Sequence, residues 1–81
     1  MFDIERQKEI LTSTSKAAER IDNVITSLQE LSGTINEKTI NGVDMSVYLS
    51  AIDKTIEELN NIKINLGHRY VEALKAIKDN T

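Results

Sequence analysis

Apolar residues recur along the chain in two long stripes, separated by a polar segment that carries glycines. The first stripe reads Ile4, Leu11, Ala18, Ile21, Ile25 and Leu28. The second reads Met45, Leu49, Ile52, Ile56, Leu59, Leu66, Tyr70, Ala73 and Ile77. Both repeat near every three and a half residues, which places each set on one face of a helix. No proline interrupts either one. The pattern predicts an all-α chain, an antiparallel two-helix hairpin forming one domain over 1–81. Its helices are expected at about 3–32 and 44–79, with a connector at 33–43.

With Ile4 at heptad position a, the first helix is apolar at a, d and g, through Ile10, Ala17, Val24 and Leu31 as well as the main stripe. So wide a stripe suits packing against more than one neighbour. The hairpin core is expected from Leu11, Ile21, Ile25 and Leu28 on the first helix. On the second it is expected from Ile52, Ile56, Leu59, Leu66, Tyr70 and Ile77.

Punctuation supports these ends. Asp3 can cap the orphan N–H groups of the first turn, and Glu5 adds charge favoured at that end. Gly33 is expected to end the helix, because glycine takes a left-handed conformation without a Cβ penalty. Thr34-Ile35-Asn36-Glu37 has the spacing of a capping box and predicts a short helical turn before Asn41-Gly42. Gly42 marks the hinge; the rival reading is a two-residue turn there between tiny strands. Asp44 is the expected N-cap of the second helix, with Val43 and Tyr48 spaced as a hydrophobic staple. The run Thr12-Ser13-Thr14-Ser15 lowers local helix propensity, but the periodicity continues in phase on both sides.

A further stripe runs along the second helix. Ile64, Gly67, Val71 and Leu74 fall at i, i+3, i+7 and i+10, on a face distinct from the core stripe. Glycine inside a helix costs about 1 kcal/mol relative to alanine. Between apolar neighbours it reads as a place where another helix approaches closely. These four residues are the candidate partner-binding site.

Polar residues also interrupt the core lines. Lys63 falls at an a position of the second helix, and Gln7 and Thr14 fall on the d line of the first. A charge at such a position snorkels to the helix edge, or it sets register at a cost in stability.

Size sharpens the need for a partner. Eighty-one residues in two helices cannot bury a large core, and with no cysteine there is no disulfide or thiolate metal site to help. The net charge of −3 is mild, and acids and bases alternate along both helices. No basic stripe suggests nucleic acid, and every uncharged stretch is too short to insert in a membrane. The start, Met1-Phe2-Asp3-Ile4-Glu5, is acidic where a signal peptide would be basic and then apolar. The expected location is the cytoplasm, with export by a route that needs no cleaved leader as the alternative.

Catalytic chemistry finds no constellation. His68 is the sole histidine; with Glu72 one turn later it offers two metal ligands where a site needs more. Glu57 and Glu58 are adjacent and do not converge on one pocket. Ser13 and Ser15 have no histidine nearby in sequence, and the three glycines occur singly rather than in a phosphate-binding loop. No catalytic residue, metal ligand or cofactor is expected.

Two long helices in a short chain, hinged midway near Asn41-Gly42-Val43, resemble the small helical proteins of Gram-positive type VII secretion. These are the W-x-G type and the small partners of LXG toxins. The likeness covers the whole chain and is architectural: there is no Trp, and Tyr70 is followed four residues later by Leu74 rather than by an acid. Those departures weigh against self-directed export and point to a partner that packs on a toxin's helical targeting region. The expected function is a non-catalytic helical interaction module, a homo- or hetero-oligomer with itself or a larger helical protein. The alternative is a small phage- or plasmid-type regulator that caps an enzyme or a nucleic-acid-binding protein.

Overall fold

The two stripes become the seam between two helices. The structure is a computed structural model that describes residues 2–37 and 45–81. Helix α1 spans Ile4–Glu37 and helix α2 spans Ser46–Asp79, 34 residues each. At 1.5 Å per residue each is about 51 Å long. They pack against one another in antiparallel fashion, so that Asp22 lies beside Lys63 and Leu11 beside Tyr70. The molecule is a rod of 64 × 15 × 14 Å.

Burial follows a strict heptad. On α1 the a line (Ile4, Leu11, Ala18, Ile25, Ser32) and the d line (Gln7, Thr14, Ile21, Leu28, Ile35) are all buried or half-buried. On α2 the a line is Leu49, Ile56, Lys63, Tyr70 and Ile77, and the d line is Met45, Ile52, Leu59, Leu66 and Ala73. All of these are buried or half-buried except Tyr70. Alternating three- and four-residue steps keep a seam facing its partner over many turns, as in a coiled coil. The deepest described residues are Ala73, Ile25, Ile52 and Thr14, and no large side chain among the described residues is fully buried.

Asp3 starts α1. Its Oδ1 accepts from the Arg6 N–H at 3.1 Å, and its carbonyl accepts the first helical bond from Gln7 N–H. The hydroxyl-rich run stays helical because Leu11, Thr14 and Ala18 carry the buried seam through it. Thr12 donates to the Lys8 carbonyl and Thr14 to the Ile10 carbonyl, so both hydroxyls are satisfied without leaving the helix.

Three features depart from the pattern reading. Gly33 does not end α1, which continues through it to Glu37. Ser32 and Ile35 carry the two seam lines onward and are half-buried, and that burial offsets the glycine's cost. Helix α2 begins at Ser46, and the residue before it, Met45, makes no side-chain cap. Asp44 and Gly42, the expected cap and hinge, lie outside the described residues. Tyr70 occupies its seam position but is 38% exposed. It borders grooves with Leu11, Thr12 and Ser15, at the edge of the core rather than within it.

Candidate functional site

In heptad terms Ile64 and Val71 are b positions and Gly67 and Leu74 are e positions. At about 100° per residue this stripe lies roughly a quarter turn from the seam direction. The hairpin partner therefore does not cover it. Ile64 is 58% exposed, Val71 61% and Leu74 48%. Gly67 is exposed as well, and a Cβ built on it meets nothing within 4 Å. The glycine is not needed to let α1 approach; the room beside it is open.

That room is part of a groove of about 410 Å³ between the helices, lined by Ser15, Ala18, Leu66, Gly67, Tyr70 and Val71. It exists because both walls carry small side chains there, Ser15 and Ala18 on α1 and Gly67 on α2. Its upper edge is the ion pair of Lys63 with Asp22. The groove is mostly apolar, with one charged boundary. A side chain from another helix could enter it, and covering an apolar side chain fully contributes roughly 1.5–3 kcal/mol.

The remaining core candidates sort by depth. Ile25 and Ile52 are buried, whereas Leu11, Ile21, Leu28, Ile56, Leu59, Leu66 and Ile77 are half-buried. Ala73 and Thr14, deeper than most of these, were signalled only by their heptad position. A two-helix interface leaves half of every seam residue open to one flank, which explains the intermediate values.

A second apolar flank lies on the opposite side of the seam, at the g positions. Val24 and Leu31 of α1 are each 47% exposed, Ile62 of α2 is 48% exposed and Tyr48 57%. The wide stripe of α1 announced Val24 and Leu31. Ile62 was missed, because a single apolar residue beside a seam carries no period of its own.

Ionisable groups are dispersed. His68, Glu72, Glu57 and Glu58 are all exposed. Among the described residues, no group of three or more His, Cys, Asp or Glu is placed to hold a metal. No described helix is long and apolar enough to cross a membrane. Comparison with known protein families, with curated proteins and with solved structures finds no match for this chain.

Proposed function

We propose that this chain is a non-catalytic helical interaction module whose hairpin completes a helical bundle with another helical element. The observation that carries the reading is an elongated shape that leaves large apolar side chains open to solvent. The molecule presents 6,423 Å² to solvent, against roughly 4,900 Å² for a compact monomer of 9.1 kDa. Its radius of gyration is 18.6 Å, against roughly 12 Å for a compact domain of this length. Large apolar side chains line both flanks of the seam, where a third or fourth helix would sit.

Within that class, the specific reading is a partner for a helical protein of type VII secretion, engaged in the cytoplasm through Ile64, Gly67, Val71 and Leu74. Two antiparallel helices of equal length support it, as does an apolar groove of about 410 Å³ beside Gly67. The test has two parts. Light scattering and thermal unfolding of the isolated chain should show association, or a loosely packed monomer with a broad transition. A cooperatively unfolding, stable monomer would mean that no face needs covering. A photo-crosslinker at position 64 or 71 in the native host should then join the chain to a helical toxin-like protein; adducts only to unrelated proteins would remove the secretion reading.

A further inference from the structure

We infer that the g-side flank is the interface with a second copy of this chain, forming a four-helix bundle in which α1 of both copies runs in the same direction. The inference rests on the interaction-module reading and specifies one partner for it. Burial already leans toward this flank: Ile10, Ala17 and Ala76, all g positions, are half-buried, although they lie outside the a and d lines. Beyond them Val24, Leu31 and Ile62 remain about half exposed. The core is thus continuous with an uncovered strip that is apolar apart from Thr55 and Arg69, the two remaining g positions of α2, both exposed. Two helices side by side over about 51 Å present roughly 700–900 Å², close to the ~800 Å² per partner of a standard interface.

Charge selects the occupant and its orientation. The c positions border this strip on its outer side. On α1 the c residues are Arg6, Ser13, Arg20, Ser27 and Thr34, with bases and no acids. On α2 they are Ala51, Glu58, Asn65, Glu72 and Asp79, with acids and no bases. All four of Arg6, Arg20, Glu58 and Glu72 are exposed. A two-fold axis parallel to the rod stacks α1 of one copy on α2 of the other, so each basic border meets an acidic one. A two-fold axis across the rod stacks α1 on α1 and α2 on α2, placing like charges together. The flank is therefore self-complementary in one arrangement only. The opposite side lacks this property: its e and b positions on α1 are polar throughout, as in Lys8, Thr12, Ser15, Glu19 and Asp22.

Sedimentation of the full chain, with charge reversal and a distance measurement, tests the inference. The wild type should dimerise. Arg6→Glu with Arg20→Glu should raise the dissociation constant at least roughly tenfold through like-charge contact. Glu58→Arg with Glu72→Arg should do the same, and all four together should restore dimerisation. These positions are exposed, so the hairpin itself survives. Val24→Glu should weaken the dimer by roughly a hundredfold, because it buries an unpaired carboxylate, whereas Val71→Glu on the other side should leave it unchanged. The chain has no cysteine, so a spin label at Lys78→Cys reports geometry cleanly. Two labels at the same end lie within about 30 Å, and at opposite ends roughly 50 Å apart. The longer distance, or a dimer lost with Val71→Glu but kept with Val24→Glu, would overturn the inference. A monomer with a broad unfolding transition would overturn the dimer yet leave the interaction-module reading standing, whereas a stable cooperative monomer would remove both.

Discussion

Lys63 of α2 and Asp22 of α1 meet at 2.5 Å across the hairpin, 41 residues apart in sequence. The lysine starts from an interior a position, yet its ammonium leaves the seam and reaches a carboxylate on the flank. Side-chain exposures of 36% for Lys63 and 56% for Asp22 show the pair at the edge, well hydrated. Such a pair contributes at most about 1 kcal/mol. Asp22→Ala should therefore cost less than about 1 kcal/mol, and Lys63→Leu, which restores an apolar seam residue, should stabilise by about 1 kcal/mol. Urea titration checks both. A loss above about 2 kcal/mol for Asp22→Ala would show that the pair fixes the helix register rather than decorating it.

Thr14 is 8% exposed, and its hydroxyl is shared between the Ile10 carbonyl at 2.7 Å and the Leu11 carbonyl at 3.2 Å. The polar atom is satisfied, but only by carbonyls that a helix already occupies. Thr14→Val removes it without orphaning a donor, so it should raise stability by roughly 0.5–1 kcal/mol. Thr14→Ala opens a void and should lower stability by about 1 kcal/mol. A measured loss for the valine variant would show that the hydroxyl makes a contribution these bonds do not account for.

Gly33 and Gly67 both sit inside helices, and a Cβ at either meets nothing within 4 Å. Gly33→Ala should raise stability by roughly 0.5–1 kcal/mol, since alanine lowers the entropy of the unfolded chain and clashes with nothing. Thermal unfolding reads this directly, and a lower midpoint would place the end of α1 before Gly33.

Gly67→Leu separates propensity from recognition. Helicity by circular dichroism should rise, because leucine is the better helix former. Crosslinking yield from position 71 should fall, because the new side chain fills the groove beside Ser15 and Ala18. Unchanged crosslinking with higher helicity would make Gly67 a tolerated defect and remove the groove from the binding face.

Asp3 caps α1 through the Arg6 N–H. Asp3→Ala should cost about 1 kcal/mol, and Asp3→Asn, which keeps the acceptor, only a fraction of that. Hydrogen exchange of the first-turn amides is the local readout. Equal effects of the two variants would mean that charge at the helix end matters more than the hydrogen bond.

The helical hairpin was legible in the residue pattern, because periodicity fixes the angle at which a side chain leaves its helix. Ile25, Leu28, Ile52 and Leu59 point inward for that reason alone, and Asp3 announced its cap by type and place. The outward stripe of Ile64, Gly67, Val71 and Leu74 could be read in the same manner, since its angle from the core line is also a matter of spacing.

Depth was decided elsewhere. Angle says which way a residue points, but not what stands opposite or how closely. Tyr70 and Thr14 both occupy seam positions; the small threonine is buried, while the larger tyrosine is displaced to the rim of a groove. Gly33 had the residue type of a terminator, yet the helix runs on, because Ser32 and Ile35 find cover across the seam and local propensity is the smaller term. The direction taken by Lys63 depended on Asp22 being within reach on the other helix. Residue spacing alone specifies two amphipathic helices and their facing lines. Only the pairing of the two decided which flank stays open, since burial is a property of neighbours distant along the chain.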